Sequence, residues 1–122
     1  MEDIMENELV GVAMQIILHA GDARTAVEHA LDCIKEENFT EAKEKMLEAK
    51  ECIRLAHVSQ TEVIQNETRG KTYQPCLLFA HAQDTLMTIN SEVMLSEKLI
   101  DLFEVVLKKI HRDCIGVGDH YA

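Results

Sequence analysis

His81 and Asp84 are the two residues whose types and spacing most clearly suggest chemistry. They lie in a largely apolar stretch, residues 78–87, and are three positions apart. On a helix, residues three apart are neighbours on one surface. A neutral imidazole is a competent nucleophile at neutral pH, and a carboxylate can bind a cation. A lone histidine in an apolar setting more often has a packing role, so the spacing alone favours a structural histidine.

Asp84 also belongs to a row of small and apolar residues that one helical bundle would not need. The row alternates steps of four and three, through Ala80, Asp84, Met87, Ser91 and Met94. This spacing predicts self-association along the helix. In a symmetric trimer, three copies of Asp84 would converge on the axis, where a hard cation such as Mg²⁺ would relieve their repulsion.

Two further polar residues are weaker candidates for a site. His19 is followed by Gly21, whose presence inside a helix usually admits close packing or access to a site. Gln60 is the one polar residue in an otherwise apolar helical row, where it either fixes register by a hydrogen bond or joins a polar site. For single residues of this kind, structural or solvated roles are the commoner outcome.

The elements that must position these residues are helices. Aromatic residues make up only 4% of the chain, which has 5 glycines and 1 proline and is rich in strong helix formers. Apolar residues recur at steps of three and four in three long segments, which begin at Leu9, Phe39 and Phe79 and continue to Ile34, Val63 and Ile110. The pattern predicts an all-α fold, an up-down-up antiparallel bundle of three helices of similar length.

Breaks between the segments are marked by turn and cap residues. Asn38 followed by Glu41 resembles a capping box, and residues 68–75, with Gly70 and Pro75, are typical of a connecting loop. Residues 113–122 have no helical period and are predicted to form a flexible tail. We therefore expect one domain over residues 1–112 and a tail over residues 113–122.

Charge and motifs exclude several classes of function. With 12 basic and 22 acidic residues the net charge is -10, which disfavours nucleic acids and anionic membrane surfaces as partners. No apolar run approaches the roughly 18 to 20 residues that a membrane span requires, and the acidic start does not resemble a signal peptide. We expect a cytoplasmic protein with no direct membrane insertion. The four cysteines are scattered, which favours neutral thiols, and no nucleotide-binding loop is present.

Three stretches together resemble a known family. Residues 77–84, followed by Leu86-Met87-Thr88, are similar to the active-site signature of the lactose/cellobiose-class enzyme IIA components of the bacterial phosphoenolpyruvate-dependent sugar phosphotransferase system. Two further stretches match in the same order: residues 17–24, and residues 56–57 together with 60–67. The resemblance implies a homotrimer of nine helices and a phosphocarrier that works without a bound nucleotide.

The resemblance also implies roles for individual residues. His81 would accept a phosphoryl group from the histidine-containing phosphocarrier protein and pass it to a cysteine of the cognate IIB component, during uptake of cellobiose, lactose or chitobiose. Asp84 would bind one Mg²⁺ on the threefold axis. Gln83 and Thr85 are the candidate hydrogen-bond donors to the phosphoryl group, with His19 and Gln60 as secondary candidates.

One departure from the family's pattern keeps a second interpretation open. The family commonly has a second histidine where this chain has Thr85, which can donate one hydrogen bond but cannot carry charge. The alternative is a non-catalytic helical adaptor or regulatory paralogue that has lost phosphotransfer. The intact histidine and aspartate favour the carrier, and the sequence does not select among the disaccharides.

Overall fold

A computed structural model of the chain describes residues 7–121, with side chains described as far as residue 114. It contains three helices: α1 (Leu9–Lys35), α2 (Phe39–Thr68) and α3 (Leu77–Tyr121). The predicted all-α fold is confirmed over the described residues. The prediction of similar lengths was wrong, because α3 has 45 residues against 27 and 30 for the other two.

Side-chain caps fix where α1 and α2 begin. The Asn7 Oδ1 atom accepts a hydrogen bond from the backbone N–H of Leu9 at 2.9 Å. At α2, Asn38 Oδ1 accepts from the Glu41 N–H at 3.2 Å, which confirms the predicted cap. The Glu41 carboxylate accepts from the Asn38 side-chain amide at 2.9 Å, instead of from the backbone as in a standard capping box.

The loop between α2 and α3 occupies residues 69–76, close to the predicted break. Gly70 has φ of 99°, a left-handed conformation that favours glycine. Lys71 Nζ lies 3.2 Å from Glu8 Oε2, and Asn66 Nδ2 donates to the Tyr73 hydroxyl at 2.9 Å. The loop is thus tied both to the start of α1 and to the end of α2.

Contacts between helices establish the up-down-up topology. Asn7 contacts Pro75 and Arg24 contacts Glu92, both at a separation of 68 residues, so α1 and α3 are parallel. Lys50 pairs with Glu97, whereas Lys43, earlier in α2, pairs with Glu104, later in α3. Hence α2 is antiparallel to α3. The helix α1 packs along both of the others, and α2 and α3 contact each other less extensively.

The predicted apolar rows form the core along most of the bundle. Ile16, Leu86, Ile89 and Ile100 are its largest fully buried side chains. The row on α3 loses its burial after Ile100, where Phe103 is 49% exposed. The reason is the length of α3. Glu104 pairs with Lys43 near the start of α2, and His111 lies 3.8 Å from Glu37 in the turn between α1 and α2, so the helix continues past both neighbours.

Most of the predicted flexible tail, residues 113–122, forms the end of α3 in the structure. The helix continues through Tyr121, so residues 113–121 are helical, and Ala122 and residues 1–6 lie outside the described residues. The tail was predicted because residues 113–122 have no apolar helical period, but a helix can continue without such a period, and each glycine within it costs only about 1 kcal/mol. The domain boundary at residue 112 and the mobility of the segment beyond it stay predictions.

Candidate active site

His81 lies in the second turn of α3, and its side chain is exposed. Pro75 immediately precedes the start of α3 and has no backbone N–H, so it could not continue a helix from the residues before it. The first hydrogen bond of α3 runs from the Ala80 N–H to the Cys76 carbonyl, at 3.2 Å. An anionic group on His81 would therefore lie near the positive end of the helix dipole.

A cleft of about 470 Å³ opens beside the imidazole. One wall comes from the start of α1, and the other comes from the loop end and first turn of α3. Apolar side chains dominate the lining, which consists of Asn7, Val10, Pro75, Cys76, Leu77 and Leu78 together with His81. Leu77 is 88% exposed at the rim, so the cleft presents an apolar surface to a docking partner.

The two walls of the cleft are joined by Asn7 and Lys71. The Asn7 Nδ2 atom donates to the Pro75 carbonyl at 3.3 Å, and Lys71 forms an ion pair with Glu8, the residue that follows Asn7. Lys71 Nζ also lies 4.8 Å from the centroid of the Tyr73 ring. These contacts hold the start of α1 against the loop that precedes His81, so the cleft is largely formed before any partner binds.

Thr85 follows His81 by one helical turn, and its hydroxyl is already used. Its Oγ1 donates to the His81 backbone carbonyl at 2.9 Å. A hydroxyl has one hydrogen to donate. In this conformation Thr85 cannot also donate to a phosphoryl group on the imidazole.

Gln83 lies on a different side of α3 from His81. Two helical positions correspond to a rotation of about 200°. Gln83 lines a separate cleft, toward Ile64 and Glu67 of α2, whereas His81 lines the cleft toward α1. The structure of one chain therefore does not bring Gln83 to His81.

Asp84 adjoins His81 on the surface of α3, and its side chain is exposed. The other members of the predicted row, Ala80, Met87, Ser91 and Met94, are exposed as well. Within residues 7–114, no group of three or more histidine, cysteine or carboxylate side chains could hold a metal ion. The Asp84 carboxylate is a suitable oxygen donor for Mg²⁺, but one chain supplies only this one ligand there.

The secondary candidates lie away from the cleft. By the register of α1 against α3, His19 is level with Met87, about 9 Å further along the bundle than His81. Gln60 is partly buried, and its Oε1 has no hydrogen-bond partner within the described part of the chain. Neither residue lines the His81 cleft.

Asn7 and Cys76 line the cleft but were not among the sequence candidates. An asparagine before an apolar row is a cap signal, which could have drawn attention to Asn7. Leu78 lines the cleft, whereas its neighbour Phe79 is buried in the core. All four cysteines are free, and burial raises the pKa of the Cys33 and Cys52 thiols, which keeps both neutral.

Comparison with known protein families decides the class. Residues 11–104 match the family described as "PTS system, Lactose/Cellobiose specific IIA subunit". The chain belongs to this family. The matched range contains His81, Gln83, Asp84 and Thr85 and ends before the last residues of α3.

Relatives of this IIA component agree with the assignment. The lichenan-specific phosphotransferase enzyme IIA component of Bacillus subtilis is 35% identical over 105 residues, which cover 86% of this chain and 96% of the relative. The N,N'-diacetylchitobiose-specific EIIA component of Escherichia coli K12 is 34% identical, covering 80% of this chain and 84% of the relative. These relatives are phosphotransferase components, so the general reaction of this family member is phosphoryl transfer.

Solved structures of family members share the fold. The cellobiose-specific enzyme IIA from Bacillus anthracis aligns with a TM-score of 0.76 at 39% identity, covering 81% of this chain and 91% of that one. The Escherichia coli IIA(Chitobiose), solved as a complex with HPr, aligns with a TM-score of 0.68 at 30% identity over 87% of this chain and 98% of that one. Within residues 7–121 of this IIA component, no helix is long and apolar enough to cross a membrane.

Proposed function

We propose that this IIA component is a cytoplasmic phosphocarrier that holds its phosphoryl group on His81. The donor is HPr, the histidine-containing phosphocarrier protein, and the acceptor is a cysteine of the cognate IIB component. The observation that carries the proposal is the position of His81, exposed at the mouth of a preformed apolar cleft within the matched family range. The HPr complex of the chitobiose relative supports the choice of donor.

The first transfer exchanges one nitrogen–phosphorus bond for another. A ring nitrogen of neutral His81 attacks the phosphorus of the donor phosphohistidine, the donor's nitrogen–phosphorus bond breaks, and the donor imidazole leaves with its electron pair. In the second transfer the IIB thiolate attacks phosphorus, a sulfur–phosphorus bond forms, and His81 regains its free imidazole. Because no nucleotide is consumed, the work of the protein is positioning and charge stabilisation.

Two features of the site suit a carrier. The start of α3 places positive partial charge near the phosphoryl group, and the apolar walls limit the access of water that would hydrolyse it. The apolar rim, with Leu77 exposed, matches a partner that must bind and leave in each cycle. His81 is thus accessible to a second protein and partly shielded from solvent on the α1 side.

We further propose that three copies assemble through α3, with Asp84 of each copy at the axis. The exposed row through Asp84 and Met87 is available for such contacts. A Mg²⁺ ion there would neutralise three converging carboxylates, and its role would be structural. Sedimentation velocity with and without chelator tests this: we expect the wild type to dissociate on metal removal and Asp84→Asn to be insensitive, because the repelling charges are gone. A metal-indifferent monomer would contradict the assembly.

The transported sugar is proposed to be a β-linked disaccharide, such as cellobiose, lactose or chitobiose. Named relatives are specific for lichenan, lactose and N,N'-diacetylchitobiose, and their identities to this chain are similar. The His81 cleft is apolar and fits a protein surface better than a sugar. We therefore propose that a separate, membrane-embedded component of the transport system selects the sugar.

Intact-mass spectrometry tests the carrier function directly. The chain is incubated with phosphoenolpyruvate, enzyme I and HPr, and wild type is compared with His81→Ala. We expect an acid-labile gain of one phosphoryl group that is absent from the variant. No gain in a folded wild-type protein would contradict the proposal.

The alternative function is a helical adaptor that has lost transfer. The observation that favours it is the Thr85 hydroxyl, which bonds the His81 carbonyl and leaves the imidazole without a donor one turn away. A folded, unphosphorylated wild type that still binds HPr or IIB would support the adaptor.

A further inference from the structure

Asn7 precedes α1 and lies outside the residues that match the family. Its side chain makes two hydrogen bonds: Oδ1 accepts from the Leu9 N–H at 2.9 Å, and Nδ2 donates to the Pro75 carbonyl at 3.3 Å. It also lines the His81 cleft. The residue thus connects the start of α1, the loop before α3 and the candidate active site.

Helix capping explains the role of the Asn7 side-chain oxygen but not that of its amide nitrogen. A cap needs the oxygen atom, and aspartate or serine would serve as well as asparagine. The amide nitrogen carries two hydrogens, of which the Pro75 carbonyl takes one. Within the described residues no acceptor takes the other.

By the register of α1 against α3, Asn7 is level with Pro75, about 9 Å along the bundle from the backbone of His81. Side chains of a helix lean toward its N-terminus, so the imidazole leans in the direction of Pro75 and Asn7, and a phosphoryl group extends its reach. The two residues face the same cavity of about 470 Å³. Among the other described residues of the lining, none carries a side-chain N–H group. In the structure of one chain, the Thr85 hydroxyl donates to the His81 carbonyl and Gln83 lines a different cleft.

We infer that Asn7 Nδ2 donates a hydrogen bond to a phosphoryl oxygen on phosphorylated His81. The inference rests on the proposed function. Asn7 makes or breaks no bond to phosphorus; it stabilises the negative charge of the transferred group and fixes its orientation. Hydrogen bonds to charged groups correspond to roughly a tenfold to hundredfold effect on a rate or lifetime.

The test uses two substitutions that retain the cap. Asn7→Ser keeps an oxygen for the Leu9 N–H but is too short to reach the phosphoryl group. Asn7→Asp keeps the oxygen and replaces the donor with a carboxylate that repels phosphate. Asn66→Ser is the matched control, because it removes the Asn66–Tyr73 bond that holds the same loop from the side away from His81.

Three quantities are measured on the full chain: the rate of phosphorylation by HPr, the half-life of the isolated phosphoprotein, and the thermal midpoint. We expect Asn7→Ser to lower the rate and shorten the half-life by about tenfold, and Asn7→Asp to do so more strongly, with little change in midpoint. Asn66→Ser is expected to match wild type in rate and half-life.

Two results would overturn the role of Asn7. One is wild-type rate and half-life in both Asn7 variants. The other is an equal loss in Asn66→Ser, which would show that Asn7 acts only by anchoring the loop. Failure of the proposed function is distinct, because wild type itself would then gain no phosphoryl group, or His81→Ala would still gain one.

Discussion

The two ends of α3 carry the same apolar period but have different surroundings. From Leu77 to Ile100 the helix packs against α1 and α2, and its apolar row is buried. Beyond Ile100 the row continues in sequence, yet Phe103 and Ile110 are about half exposed. Periodicity indicates which face of a helix can be buried, and the neighbouring helices determine whether it is.

The difference extends to chemistry. The first end holds His81, a preformed cleft and few charged side chains in its lining. The second end holds a charge cluster, in which Glu104 Oε2 lies 2.7 Å from Lys43 Nζ and Glu104 Oε1 lies 3.0 Å from Lys108 Nζ. It also exposes apolar side chains on more than one side, including Leu102, Val105 and Val106. The first end carries the proposed transfer site, and the exposed apolar side chains of the second end extend the proposed assembly surface of α3 beyond the Asp84 row.

The largest effect is expected from removing core volume at the packed end. Leu86→Ala should lower the free energy of unfolding by about 2–5 kcal/mol, because Leu86 is fully buried and leaves a cavity. Phe103→Ala, at the exposed end, should cost about 1 kcal/mol or less. Urea denaturation at low protein concentration measures both. An equal fall in the free energy of unfolding in the two variants would show that both ends of α3 are equally packed, which would contradict the contrast between them.

Self-association should respond to the exposed end. A double variant, Leu102→Asp with Val106→Asp, places charge on two exposed apolar positions of α3 and should raise the dissociation constant of the assembly at least about tenfold. Val58→Asp, at an exposed apolar position of α2, is the control and should leave the constant unchanged. Sedimentation velocity over a range of concentrations gives the constants. A double variant that assembles like wild type would assign the interface elsewhere.

Acid should weaken the charge cluster at the exposed end. The Lys43 ammonium, and then that of Lys108, hold the pKa of Glu104 below its ordinary value of 4.5. A lowered carboxyl pKa stabilises the fold above the ordinary value, and this contribution is lost as pH falls below 4.5 through the lower folded value. Glu104→Gln should therefore flatten the pH dependence of the thermal midpoint in this window. Glu62→Gln, on the exposed side of α2, should retain the wild-type slope.

The smallest effect is expected at Thr85 and Gln83. Thr85→Val keeps the side-chain shape and removes a hydroxyl that donates to the helix backbone, and Gln83→Ala alters a different cleft. Both variants should be phosphorylated within about twofold of the wild-type rate, since only larger losses correspond to a missing charged hydrogen bond. A larger loss of phosphorylation rate in either variant would show that the residue does donate to the phosphoryl group, either after its side chain rotates or from another copy of the chain.

The helices were predictable because local signals and packing agree. Asn38 and Gly70 marked breaks where they occur, and the row through Ile16 on α1 is buried as its spacing predicts. The excess length of α3 was not predictable, because its apolar period ends before residue 113 whereas the helix itself continues to Tyr121. The apolar pattern of α3 also does not show where α1 and α2 end beside it.

The candidate site was predicted in part. The spacing of His81 and Asp84 correctly placed them side by side on one helix surface. The donor set was harder to foresee, because Gln83 is close in sequence but rotated away, and Asn7 is distant in sequence but faces the same cleft. Cross-helix proximity depends on register, and the separation of 68 residues between α1 and α3 is set by the whole bundle.

The bonds that secure the loop between α2 and α3 have a kinetic consequence. Lys71 holds this loop to the start of α1, so a docking protein meets a wall of the cleft that is already ordered. Little conformational entropy is then lost on binding, and association requires no slow rearrangement. A phosphocarrier that meets a donor and an acceptor in each cycle, as proposed for this chain, would gain from such rapid binding.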